Sequence, residues 1–119
     1  MKITPYHECL LDLKKPKIKE GVIVNSCIRA LFAIGCYVWR NNTGAYKPKD
    51  SGRFIKYGKK GSADIIGVMP GGKFIAVECK AGKNPQSQDQ ILFQQRIEEK
   101  GGVYILAHSA DELLEALKA

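Results

Sequence analysis

The sequence lacks long apolar runs, and it lacks the cysteine and histidine spacing of a zinc site. No stretch approaches the roughly 20 apolar residues that span a bilayer, and the first residues have no apolar core of the kind found in secretory signals. The four cysteines form no Cys-x-x-Cys pair, and the two histidines complete no zinc pattern. We therefore expect a cytoplasmic protein without a membrane partner or a small-molecule cofactor.

Internal repeats and low-complexity tracts are also absent, and 119 residues suffice for one domain but not for two. Residues 1–17 are lysine-rich with two prolines, so we predict an N-terminal arm there and the domain over residues 18–119. In a reducing compartment the cysteines are expected to be free thiols that pack as small apolar groups, with a disulfide or a soft-metal site as the alternative. They are Cys9, Cys27, Cys36 and Cys79.

Acidic residues are scarce relative to basic ones, with 12 Asp and Glu against 19 Lys and Arg and a net charge of +7. The excess is concentrated between Thr43 and Lys60, where six basic residues meet one acid and alternate with aromatic side chains. A basic, aromatic loop suits a phosphate backbone, although a merely solubilising loop has the same composition. The candidate nucleic-acid contacts are Lys47, Lys49, Arg53, Lys56, Lys59 and Lys60, with Ser62 as a weaker candidate that also suits a turn.

Apolar periodicity predicts an α/β fold with the element order α-β-β-β-α-β-α. The predicted helices span residues 18–35, 86–100 and 110–118, and the predicted strands span residues 36–40, 64–69, 73–80 and 103–107. Pro70-Gly71-Gly72 predicts a hairpin turn, and the middle helix predicts a crossover between two parallel neighbouring strands. We expect a mixed four-stranded sheet with helices on both faces, a long loop over residues 43–60, and Tyr37 and Trp39 in the core.

Glu78-Cys79-Lys80 closes a run of apolar residues, and Asp64 lies fourteen residues upstream. The two-residue repeat of a strand places Glu78 and Lys80 on one face and Cys79 on the other. Asp64 and Glu78 lie on opposite arms of the hairpin, each away from its turn, so they are expected to converge. Two such carboxylates repel each other unless a cation such as Mg²⁺ or Mn²⁺ intervenes. The alternative is a pair of ordinary strand-end acids with Lys80 as an ion-pair partner.

These motifs together resemble the PD-(D/E)XK nuclease superfamily, and more specifically the small stand-alone VRR-NUC domains, many of them encoded by phages. The resemblance covers most of the chain, from about Glu20 onward. It implies a single-domain restriction-endonuclease-like αβββαβ(α) fold. The residues that carry it are Gly61-Ser62-Ala63-Asp64-Ile65-Ile66-Gly67, Ala76-Val77-Glu78-Cys79-Lys80, Val38-Trp39-Arg40-Asn41-Asn42-Thr43-Gly44-Ala45-Tyr46, Gln90 and Gly101-Gly102-Val103.

The resemblance also implies roles for single residues. Asp64, Glu78 and Glu20 are expected to be metal ligands, with Glu20 supplied by the first helix. Lys80 is expected to be the catalytic lysine, and Gln90 to hold the polar position on the helix after the Glu-x-Lys strand. A solvated helix-start acid is the alternative for Glu20, and Gln94, one turn beyond Gln90, is an alternative to that glutamine.

The principal hypothesis is a DNA endonuclease, dependent on Mg²⁺ or Mn²⁺, that hydrolyses phosphodiester bonds. The resemblance implies action on branched DNA such as four-way (Holliday) junctions, and a homodimer. Alternatives are a nucleic-acid-binding module without turnover, an RNA-directed nuclease on the same scaffold, and a structural subunit of a larger phage complex.

Overall fold

The structure, a computed structural model, describes residues 18–49 and 52–118, and the predicted arm over residues 1–17 lies outside them. The helices are α1 (Glu20–Ala33), α2 (Gln88–Glu99) and α3 (Ala110–Lys118). The strands are β1 (Tyr37–Arg40), β2 (Gly44–Tyr46), β3 (Ile55–Tyr57), β4 (Ile65–Val68), β5 (Phe74–Cys79) and β6 (Val103–Ala107). The predicted elements are all present, most of them a few residues shorter at their ends.

Four strands form a mixed sheet in the order β1-β4-β5-β6. β4 pairs antiparallel with both β1 and β5, whereas β5 and β6 are parallel. The hairpin between β4 and β5 turns at two glycines, Gly71 and Gly72, whose φ angles of 92° and 89° suit residues without a Cβ. The mixed sheet, the hairpin and the parallel crossover are confirmed.

Helices cover both faces of the sheet. The side chains of β5 point alternately to the two faces, and each face carries an apolar cluster that includes helical residues. Ile75, Val77 and Cys79 face the larger cluster, which α1 and α3 complete. Ala76 faces the smaller cluster, together with Phe93 of α2. Glu78 has the same parity as Ala76 and therefore lies on the α2 face, opposite to Cys79. Buried free thiols are confirmed at Cys27, Cys36 and Cys79, while Cys9 lies outside the described range.

Residues 43–60, predicted as a loop, contain a small two-stranded antiparallel sheet formed by β2 and β3. We call this hairpin the basic ribbon. All six of its strand residues are exposed, and each strand has only three residues. Such strands are too short for apolar periodicity to predict, which explains why the prediction missed them. Gly44 allows the strands to close, because a Cβ there would lie 2.7 Å from the Tyr57 hydroxyl.

The prediction that Tyr37 and Trp39 belong to the core is wrong. Tyr37 is 65% exposed and Trp39 is 49% exposed, whereas Val38 between them is buried. β1 is an edge strand, and α2 packs over β6 at the other edge of the sheet. The aromatic side chains of β1 therefore lie on a part of the α2 face that α2 does not reach.

No helix in the described part of the chain is long and apolar enough to cross a membrane.

Candidate metal centre

Three carboxylates converge at the end of the sheet where β4 begins and β5 ends. Ligand oxygens of Glu20, Asp64 and Glu78 lie within 4.8 Å of one another. In the β4–β5 hairpin Ile65 pairs with Val77, so one further step of the register brings Asp64 opposite Glu78. We call these three residues the acid cluster.

Each acid reaches this point from a different element. Asp64 immediately precedes β4, and its Oδ2 accepts a 2.8 Å hydrogen bond from the Cys79 backbone N–H. Glu20 is the first residue of α1, and α1 packs on the opposite face of the sheet from Glu78. The exposed side chain of Glu20 therefore reaches the other two acids around the end of the sheet. The structure thus brings the Glu20 carboxylate to the other two acids, and its exposed position in the first turn of α1 also suits a solvated helix-start acid.

Among the described residues, Glu78 is the one polar or charged residue that is buried, with only 3% of its surface exposed. Burial raises its pKa to about 9, and the hydrogen bond to Asp64 and the charge of that residue act in the same direction. Lys80 opposes the rise. Without a cation, Glu78 therefore holds a proton near neutral pH. A divalent ion would replace that proton and relieve the repulsion between the acids, and hard carboxylate oxygens suit Mg²⁺ or Mn²⁺.

Gln90 connects the acid cluster to the start of α2. Its Nε2 donates to Glu78 Oε2 at 3.0 Å, and its Oε1 accepts from the Ser87 N–H at 2.9 Å. The same Oε1 lies 3.5 Å from Lys80 Nζ. Ser87 completes a capping box, since its hydroxyl accepts from the Gln90 N–H. The predicted N-cap at Ser87 is thus confirmed, and the amide of Gln90 has one orientation that satisfies every contact.

Gln94, the alternative to Gln90, makes a different contact. Its Oε1 accepts a 3.0 Å hydrogen bond from Gln86, which also donates to the Tyr104 hydroxyl at 3.1 Å. Gln90 is therefore the glutamine that contacts the acid cluster.

Asn41 holds the segment that leads to Asp64, a role that the sequence did not reveal. Its Nδ2 donates to Ser62 Oγ at 2.7 Å and to the Ala63 carbonyl at 2.9 Å, and its own N–H donates to the Asp64 carbonyl at 2.7 Å. The Ser62 hydroxyl in turn donates to the Lys59 carbonyl at 2.6 Å, which places Ser62 in a turn. The sequence signals are that Asn41 directly follows a predicted strand and that it lies in one of the segments that carry the resemblance.

The basic ribbon projects from the same end of the molecule, between β1 and β4. A cleft of about 290 Å³ lies at its base, lined by Lys56, Tyr57 and Lys60 among others. Lys60 pairs with Asp89 at the start of α2, with 3.3 Å between Nζ and Oδ2. The six basic candidates lie on the ribbon or its flanks, and all are exposed: Lys47, Lys49, Arg53, Lys56, Lys59 and Lys60.

A second, wider cleft of about 540 Å³ opens beside the acid cluster on the α1 side. Glu20 and Lys19 line one wall, and the loop after Lys80, including Gly82 and Asn84, lines the other. The cleft therefore opens the Glu20 side of the acid cluster to solvent, whereas Asp64 and Glu78 do not line it.

Comparison with protein-family models gives no match, and no curated protein matches the chain. A function for this chain is therefore a proposal founded on the arrangement of its residues.

Proposed function

We propose that the protein is a DNA endonuclease that requires Mg²⁺ or Mn²⁺ and hydrolyses phosphodiester bonds. The observation that carries the proposal is the convergence of Glu20, Asp64 and Glu78 within 4.8 Å, with Lys80 on the same face of β5. Ordinary surface acids avoid such proximity because like charges repel. Here one of the acids is also buried, which makes the arrangement costly unless a cation or a proton neutralises it.

Glu20, Asp64 and Glu78 would hold the ion. When bound, a divalent ion lowers the pKa of a coordinated water and neutralises charge that develops on phosphate oxygens.

The remaining residues of the site act on the phosphate and on the acids. Lys80 supplies a positive charge to the non-bridging oxygens, on which negative charge grows as the phosphorus is attacked. Gln90 fixes the Glu78 carboxyl by donating to Oε2 and keeps its own amide in place through the capping box. The basic ribbon contributes charge that attracts the phosphate backbone.

A restriction-endonuclease-like fold is part of this proposal. Without the ribbon, the order of elements is αβββαβα, with the acids at the expected positions, and this order supports the assignment. Branched DNA such as a four-way junction is the proposed substrate, and a homodimer the proposed assembly, since two symmetric cuts call for two symmetric sites.

Cleavage assays with active-site variants test the proposal. Linear, flap, fork and four-way DNA substrates are incubated with Mg²⁺, with Mn²⁺ and with EDTA. Asp64→Asn and Glu78→Gln are expected to lower the cleavage rate by about 100-fold or more. Each removes a carboxylate that would hold the ion, and the bound ion would stabilise charge on the reacting phosphate. Asp111→Asn, which changes an exposed acid at the start of α3, is the matched control.

Full cleavage by both variants, or cleavage that persists in EDTA, would contradict the metal-dependent mechanism. DNA binding without turnover on any substrate would show a binding module. Preference for RNA in a competition assay would move the proposal to an RNA-directed nuclease.

A further inference from the structure

Three aromatic side chains form a continuous exposed surface at the β1 edge of the sheet. The ring centroids of Phe32 and Tyr37 lie 6.3 Å apart, and those of Tyr37 and Trp39 lie 5.8 Å apart. All three side chains belong to residues that are about half exposed or more. We call Phe32, Tyr37 and Trp39 the aromatic shelf. Contiguous exposed apolar surface of this kind usually marks a binding site.

Two members of the shelf, Tyr37 and Trp39, lie on the same face of the sheet as Glu78, whereas Phe32 belongs to α1 and meets Tyr37 at the β1 edge. Trp39 pairs directly with Ile66 on β4, and residues opposite each other in an antiparallel pair point to the same face. Ile66 packs against the cluster beneath α2, so Trp39 shares that face. Asp64 is two residues from Ile66, which places the backbone of Trp39 about 7 Å along the strand and about 5 Å across it from that of Asp64, and one strand further from Glu78.

The charges around the shelf favour nucleic acid over a second copy of the chain. Arg40 follows Trp39 and is exposed, and the basic ribbon begins shortly after it. A two-fold contact through the shelf would bring these like charges together, whereas a phosphate backbone complements them. Aromatic side chains beside a basic track are the combination by which proteins bind single-stranded nucleic acid, with bases stacked on the rings.

We propose that the aromatic shelf stacks unpaired bases next to the phosphate that is cleaved. This inference rests on the proposed function and narrows its branched substrates to those with a single-stranded segment beside the cut, such as flaps and forks, rather than fully paired four-way junctions. In a continuous duplex the bases already stack on one another, so their faces are not available to Trp39 and Tyr37.

The intrinsic fluorescence of Trp39 reports directly on this contact, because it is the single tryptophan of the chain. The full chain is titrated in EDTA, where no metal-dependent cutting occurs, with a single-stranded oligonucleotide and with a duplex of the same sequence. We expect saturable quenching by the single strand and clearly weaker quenching by the duplex.

Matched variants separate stacking from general apolar contact. Trp39→Ala is expected to weaken single-strand affinity by about 10-fold or more, and Trp39→Phe to retain most of it, because the ring supplies the stacking energy. Because these variants lack the tryptophan, their affinities are measured by the anisotropy of a labelled oligonucleotide. Leu92→Ala is the control, since Leu92 is 48% exposed and lies about 200° around α2 from Gln90. It should bind like the unaltered protein.

Two results would overturn the inference. One is equal quenching by both DNAs, with unchanged affinity in Trp39→Ala. The other is fluorescence that depends on protein concentration without DNA, together with a smaller sedimenting species in Trp39→Ala, which would assign the shelf to an interface between copies. Binding is measured without metal, so the two proposals can fail separately. A protein that cleaves DNA with metal but shows no stacking on Trp39 would contradict only the proposed role of the aromatic shelf. A protein that shows stacking but cleaves no substrate would contradict only the proposed nuclease activity.

Discussion

Gln90 serves a helix terminus and a charged site with one amide group. Its Oε1 accepts from the Ser87 N–H as half of a capping box, while its Nε2 donates to Glu78. Both polar atoms of the Gln90 amide thus have a partner, which restricts the rotation that a long polar side chain otherwise has. The position of the Glu78 carboxyl is consequently tied to the start of α2.

Substitutions at the two capping residues should separate these roles. Gln90→Ala is expected to reduce both cleavage and stability, because it removes the donor to Glu78 along with half of the box. Ser87→Ala should cost about 1 kcal/mol of stability with cleavage close to that of the unaltered protein. Thermal unfolding and cleavage rates, measured on the same preparations, distinguish the two.

Gln94→Ala is the control for this pair, since Gln94 contacts Gln86 rather than the acids. If Gln94→Ala reduced cleavage as much as Gln90→Ala, the assignment of Gln90 to the site would be wrong.

The raised pKa of Glu78 makes the stability of the metal-free protein depend on pH. With a native pKa of about 9 against an ordinary value of 4.5, the native state keeps a proton that the unfolded chain releases over this interval. The contribution of Glu78 to stability is therefore fully present below pH 4.5 and is lost as pH rises to about 9, at a slope of at most about 1.4 kcal/mol per pH unit. Urea unfolding in EDTA at several pH values measures the slope.

Glu78→Gln removes the titrating group and should flatten the dependence over that interval. Glu99→Gln, an exposed acid on α2, should leave it as it was. A flat profile in the unaltered protein would contradict the raised pKa.

The site is predictable from the sequence as far as local periodicity reaches. Strand parity alone separates Glu78 and Lys80 from Cys79, and the hairpin turn alone brings Asp64 towards them. The choice between Gln90 and Gln94 depends on how α2 is rotated over β5 and β6, which packing of Phe93 decides. Asn41 was missed for the same reason, because its partners lie more than twenty residues away.

At the scale of elements, the edge position of β1 and the exposure of the basic ribbon account for the two incorrect predictions about the fold. Tyr37 and Trp39 are aromatic residues of the kind often found on the core side of strands. A face of an edge strand is buried, however, only where a helix covers that face. β2 and β3 are three residues each and bury no side chains, so apolar patterning contains no signal for them. Elements that bury apolar surface were predictable, and elements that do not were less so.

The basic ribbon should determine how strongly DNA binding depends on salt. Lys56→Ala is expected to weaken binding to all DNA sequences alike and to reduce the slope of log affinity against log salt by about 1, since one phosphate contact is lost. Fluorescence anisotropy at several salt concentrations measures the slope.

Lys73→Ala removes the same charge from the far end of the β4–β5 hairpin and should leave the slope unchanged. Equal effects of the two substitutions would indicate that net charge, rather than the ribbon, attracts the DNA.

At the scale of the molecule, the acid cluster joins three elements, so metal binding should stabilise the whole fold. A ligand that binds only the native state adds about 2.7 kcal/mol at 100 times its dissociation constant. We expect Mn²⁺ or Mg²⁺ to raise the melting temperature, and more at pH 8 than at pH 6, because the ion must displace the proton of Glu78.

Glu20→Gln tests whether the first helix takes part in metal binding. Loss of the metal-induced rise in melting temperature would place Glu20 among the ligands, and an unchanged rise would exclude it. Asp111→Asn again serves as the control acid outside the site.

The separation of the acids along the chain has a consequence for synthesis. Glu20 leaves the ribosome early, Asp64 and Glu78 follow much later, and β5 gains its parallel neighbour only when residues 103–107 have emerged. An unfinished chain therefore has no assembled acid cluster. The proposed nuclease would therefore stay inert until residues 103–107 have been translated, when β6 can join the sheet beside β5.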